Sequence, residues 1–145
     1  MSIEAGGEAE RLSAVPENAA AARGIVSDLL AARFGAAVAE WPAHVVDDML
    51  LVTSELVTNA FRHGGRLTAF ETEVTGDGLR ITVGDASTES PAESPAMGPE
   101  IRAGAARIGG YGWPLVRLLA DRVSISHHAG GKQITVLMAL PGIRR

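Results

Sequence analysis

From residue 43 to residue 63 the apolar positions fall on one helical arc. Val45, Met49, Val52, Leu56 and Ala60 form a stripe, with Val46, Leu50, Val57 and Phe61 beside it, and Gly64-Gly65 ends the run. This spacing predicts a long amphipathic helix. A shorter one precedes it: Ile25, Leu29 and Ala32 recur at helical spacing beside Val26 and Leu30, Pro16 suits the first turn, and Gly35 is a stop. After Leu67 the period moves towards two. Leu67, Ala69, Glu71 and Glu73 would make a mixed face, whereas Leu79, Ile81 and Val83 alternate cleanly with Arg80 and Thr82. Gly76-Asp77-Gly78 between the two runs reads as the turn of a hairpin that ends at Gly84-Asp85.

Residues 86 to about 108 (ASTESPAESPAMGPEIRAGAARI) are rich in Ser, Pro, Ala, Glu and Gly. A segment of that length in a compact domain is a lid or a binding loop unless it is unstructured. Gly109-Gly110-Tyr111-Gly112 then opens a short helix to about Arg122, followed by strands near 123–127 and 132–140 joined at Gly130-Gly131, with His127 and His128 read as turn residues. The first ten residues (MSIEAGGEAE) carry too little apolar surface to offset their ordering and are expected to form a loose tail. The chain is thus a tail and one domain, residues 11–145. Helix, long helix, hairpin, lid, glycine turn, helix and hairpin in that order predict an α/β two-layer sandwich, a mixed, largely antiparallel sheet covered on one face by helices.

Composition narrows the function classes. With 145 residues and 46% hydrophobic content, the chain can bury one core. A net charge of −4 offers no broad basic surface for nucleic-acid phosphates, so a folded partner or small ligand fits better. The absence of cysteine excludes disulfides and thiolate metal sites. No apolar run approaches the roughly 18 residues of a membrane span, and the acidic N-terminus lacks signal-peptide character, which reads as soluble and cytoplasmic.

Three features could carry chemistry. At about 100° per residue, Glu55 and Asn59 lie about 40° apart on the long helix, opposite its apolar stripe, with Asp48 between them and Arg62 on the same arc. Asn can offer a neutral oxygen to Mg²⁺, and Glu can orient or deprotonate a nucleophile; a solvated helix face is the plainer reading of such a pair. Gly109-Gly110-Tyr111-Gly112 before a helix can cradle a phosphate, or can be a simple turn with Pro114 setting the first helical turn. It is neither a Walker nor a Rossmann motif, since no GK[ST] follows and no parallel βαβ unit surrounds it. Asp85, at a strand end, can accept from an exocyclic amine or serve as a turn residue.

Taken together these segments resemble the GHKL (Bergerat-type) ATPases and kinases. Ser54-Glu55-Leu56-Val57-Thr58-Asn59-Ala60-Phe61-Arg62-His63-Gly64 is similar to their N box, Val83-Gly84-Asp85 to the G1 box, and Gly110-Tyr111-Gly112-Trp113-Pro114-Leu115 to the G2 box, in the same order and spacing. Within GHKL proteins the chain resembles the free-standing anti-sigma factor serine kinases of bacterial partner-switching systems, over nearly all of residues 12–140.

The resemblance implies ATP and Mg²⁺ as ligands, Glu55 as catalytic base, Asn59 as Mg²⁺ ligand, Asp85 as the adenine-reading carboxylate, and Gly110 and Gly112 near the phosphates. It implies a sigma factor and an antagonist protein as partners, and homodimerisation. An ATP-binding or protein-binding regulatory module of the same fold without kinase activity is the alternative. Two departures from the family pattern touch the adenine end: Ala86-Ser87 stands where a glycine follows the aspartate by two residues, and Gly131-Lys132-Gln133 stands where the family often has Gly-Thr.

Overall fold

The computed structural model describes residues 11–13, 15–88 and 112–142. In chain order the elements are β1 (Arg11–Ser13), α1 (Ala19–Phe34), a 3-10 turn (Gly35–Glu40), α2 (Ala43–His63), β2 (Leu67–Thr75), β3 (Gly78–Asp85), α3 (Gly112–Leu119), β4 (Arg122–His128) and β5 (Gly131–Met138). The expected loose tail, most of the lid (residues 89–108) and the glycines Gly109 and Gly110 lie outside the described residues.

The five strands lie in the order β1-β2-β3-β5-β4, and all four pairings are antiparallel. The sandwich is therefore an α/β fold of helices on one face of an antiparallel sheet. The sheet has a further edge strand, β1, that the alternation did not reveal: three residues are too few to show a period.

One face of the sheet is apolar because the inward residues recur every second position. On β3 these are Leu79, Ile81 and Val83, and on β5 Ile134, Val136 and Met138. In β2 the inward set is Phe70, Thr72 and Val74 rather than the odd-numbered positions, because the register slips between Leu67 and Ala69. A bulge puts Leu67 and Phe70, an odd distance apart, on the same buried side. Glu71 and Glu73 face the other side, where Arg80 meets Glu73 at 3.0 Å and the Thr82 and Thr135 hydroxyls meet at 3.2 Å. That open face is polar, as a solvated sheet face should be.

α1 and α2 cover the apolar face. From α1 come Ala22, Val26, Leu29 and Leu30, and from α2 Met49, Val52, Leu56, Val57 and Ala60, all buried with the strand residues in one cluster. Each fully buried Leu, Val, Met or Phe contributes about 1.5–3 kcal/mol before conformational entropy is counted. Ala32, assigned to the apolar stripe by spacing, is exposed, and Phe61 is 43% exposed. α1 also begins later than Pro16 suggests. Asn18 is its cap, accepting from the Ala21 N–H at 2.8 Å, while Pro16 is buried ahead of it. Gly35, at φ 56°, ends the helix with its N–H on the Ala31 carbonyl.

α3 stops at Leu119, short of Arg122, because Asp121 is drawn to the sheet: its N–H donates to the Leu137 carbonyl and its carboxylate accepts from the Ala139 N–H at 2.7 Å. His127 and His128 are the last residues of β4, not turn residues; Ala129-Gly130 make the turn.

Candidate functional site

Glu55 and Asn59 sit one turn apart on α2, both half-buried, on the side of the helix that meets α3. Ser54, the preceding residue, accepts from the Arg23 guanidinium of α1 at 2.8 Å, which ties the two helices together beside Glu55. α3 begins at Gly112, against this pair. A β-carbon built on Gly112 would lie 2.7 Å from Glu55 Oε1 and 3.4 Å from Asn59 Oδ1. Only a residue without a side chain fits there while the carboxylate stays in place. The backbone at the start of α3, with its outward N–H groups, is thus laid beside one carboxylate and one amide.

Desolvation raises the Glu55 carboxyl above its ordinary value of 4.5, and the positive charge of Arg62 opposes that rise in part. Burial disfavours the charged form, so this carboxylate holds a proton more readily than an exposed glutamate. A base tuned upward in this way abstracts a proton more strongly than an ordinary carboxylate.

Asp85 lies at the far end of α2. It is the last inward residue of β3, 4% exposed, and it abuts Gly64, the residue that caps α2. A β-carbon on Gly64 would collide with the Asp85 carboxyl carbon and come within 2.6 Å of Oδ2. Gly64 has an ordinary backbone, φ −99°, so close approach, not conformation, is what requires glycine here. The Ala86 N–H donates to the Gly64 carbonyl at 3.0 Å and fixes the approach. Gly64 is five residues beyond Asn59, about 7.5 Å further along the helix axis at 1.5 Å per residue. The candidate residues therefore fall in two groups along α2: Glu55, Asn59 and Gly112 in one, Asp85 in the other. Gly110 lies outside the described residues.

The Asp85 carboxylate already has a partner. Lys132 stands directly opposite it in the β3–β5 register, so both side chains project to the same face. Its Nζ donates to Oδ1 at 3.0 Å and to Oδ2 at 2.9 Å, and each side chain is only 5% exposed. The Ser87 N–H adds a third bond to Oδ1 at 2.9 Å. Lys132 heads an otherwise apolar inward set, Ile134, Val136 and Met138, just as Asp85 ends the set Leu79, Ile81 and Val83. The shared parity of these two strands was the available signal for the pair; the partner assignment needed the register.

A family model described as histidine kinase-like ATPase domain matches residues 12–138. The chain belongs to that family. No curated protein matches it. As a histidine kinase-like ATPase domain it is an ATP-binding module with kinase-like ATPase character. Its residues fit that ligand unequally. The Gly112 backbone beside Glu55 and Asn59 suits phosphates and a hard cation, whereas Asp85, the carboxylate expected to read the base, is engaged by a lysine. Among the described residues no helix is long and apolar enough to cross a membrane, and no group of three or more His, Asp or Glu converges as a metal site.

Proposed function

We propose that this histidine kinase-like ATPase domain is an ATP-dependent serine/threonine protein kinase that acts as an anti-sigma factor, binding a sigma factor and phosphorylating an antagonist protein. The observation that supports the reading is the closeness of Gly112 to both side chains: a β-carbon there would lie 2.7 Å from Glu55 Oε1 and 3.4 Å from Asn59 Oδ1, so a carboxylate, an amide and a helix N-terminus share one place. The resemblance of residues 12–140 to free-standing anti-sigma factor kinases supports the choice of a protein substrate and partner.

In this reading Glu55 accepts the proton of a serine or threonine hydroxyl as its oxygen attacks the γ-phosphorus of ATP. The bond from that phosphorus to the β,γ-bridging oxygen breaks, and ADP leaves with the electron pair. The elevated proton affinity of Glu55 suits the role. Asn59 would hold Mg²⁺, which would offset the charge of the phosphates. The α3 N-terminus at Gly112 directs N–H groups at the phosphates. Arg62, one further turn along α2, tempers the rise in Glu55 basicity.

The test is labelled ATP with a candidate antagonist. Glu55→Gln retains Mg-ATP binding and loses transfer, and Asn59→Ala loses the magnesium-dependent part of binding as well. Full transfer by Glu55→Gln would refute the assignment. A second reading, an ATP-binding or protein-binding regulatory module without kinase activity, is favoured by one observation, the Lys132 ammonium on Asp85. It gains if wild-type protein binds its partner but transfers no label.

A further inference from the structure

The acceptor capacity of Asp85 is nearly exhausted within the fold. A carboxylate offers about four acceptor directions. Three are taken: Oδ1 accepts from Lys132 Nζ and the Ser87 N–H, and Oδ2 accepts from the same Nζ. The fourth belongs to Oδ2, on the side where a β-carbon on Gly64 would come within 2.6 Å of that oxygen. The lysine is in the opposite condition. Its ammonium has three donors, and two are spent on Asp85. His127 flanks it on β4, opposite Lys132 in the register, as Asp85 does on β3. Both members of the ion pair are buried, so an incoming amine competes with the ammonium for the carboxylate, and displacing it leaves a charge uncompensated. An incoming carbonyl needs no such exchange, because an ammonium N–H remains to donate to it.

We propose that Lys132 is the specificity-determining residue of the base end: by holding Asp85 it replaces a free acceptor with a donor. The preference for a purine with an amine at position 6 falls, and one with a carbonyl there is favoured relative to the same site without the lysine. This rests on the reading of the site as a nucleotide site in which Asp85 faces the base, as the family resemblance implies. It concerns the base alone, and leaves the phosphate end at Glu55, Asn59 and Gly112 unaffected.

The experiment is calorimetric titration of the full chain with Mg-ATP and Mg-ITP, which differ in that single substituent, for wild type and Lys132→Thr. Wild type binds the two with similar affinity or prefers ITP. In Lys132→Thr the ratio moves towards ATP by about tenfold or more, the worth of one hydrogen bond to a charged acceptor. Removal of the lysine strips a buried carboxylate of its counter-charge, so unfolding curves are recorded first. Where Lys132→Thr does not fold, Lys132→Gln carries the same test, its neutral amide holding Asp85 less tightly and moving the ratio in the same direction. An unchanged ratio with binding retained overturns the role of Lys132 and leaves the nucleotide site standing. No binding of either nucleotide by any folded form overturns the site itself, and the role of Lys132 with it.

Discussion

Glu55 sits in surroundings that disfavour its charged form, and the consequence is measurable without any substrate. Its folded-state carboxyl titrates above the ordinary 4.5, burial being the larger cause and Arg62 the opposing one. The folded chain therefore binds this proton at a pH where the unfolded chain has released it. The resulting stabilisation is fully present below 4.5 and is lost as pH rises through the raised value. Glu55→Gln, neutral throughout, is accordingly more stable than wild type at neutral pH, and its advantage vanishes in acid. Arg62→Ala removes the opposing charge, so the carboxyl rises further and the loss of stability extends to higher pH. Thermal unfolding of the three proteins from pH 4 to pH 8 checks both; a Glu55→Gln that is less stable than wild type at neutral pH contradicts the desolvation account. The spacing of Glu55 and Asn59 was legible from the helical period alone. The proton affinity was not, since it depends on how deeply the fold buries the carboxylate.

At the scale of elements, two glycines decide how the helices and strands meet, and their replacement by alanine separates stability from function. At Gly112 the nearest obstruction to a β-carbon is Oε1, the far end of the flexible Glu55 side chain. Gly112→Ala folds with a midpoint close to wild type, while the glutamate is pushed out of place; under the proposed function, phosphoryl transfer then falls by an order of magnitude or more, as misplacement of a catalytic group by about 1 Å does. At Gly64 the obstruction is Asp85, held by Lys132 and Ser87 and unable to yield. Gly64→Ala overpacks a buried site and costs about 1–3 kcal/mol. Denaturant unfolding and a transfer assay on both variants test the contrast, and equal destabilisation by the two would contradict it. Gly64 reads from the sequence as a helix stop. Its φ of −99° shows that the helix end did not demand glycine; the carboxylate twenty-one residues later did.

For the molecule as a whole, ligand binding and folding are linked. A nucleotide at about 100 times its dissociation constant adds roughly 2.7 kcal/mol to stability, which raises the midpoint of a domain this size by something on the order of 5–10 °C. Mg-ATP produces that shift when supplied in such excess, and chelation of magnesium reduces it; a midpoint insensitive to nucleotide in the folded protein contradicts an ATP site. The long helix over residues 43–63, the β2–β3 hairpin and the layer order were written in the sequence, because a period of 3.6 or 2 needs only local alternation to show. The N, G1 and G2 segments likewise announced the family through spacing. What spacing could not supply was contact across the sheet. The bulge that inverts β2, the short edge strand β1 and the stop of α3 at Leu119, ahead of the sheet-bound Asp121, each depend on a partner distant in sequence. So does the Asp85–Lys132 pair: forty-seven residues apart, its members meet because β3 and β5 pair in one register, and a slip of one residue would have sent the lysine to the open face.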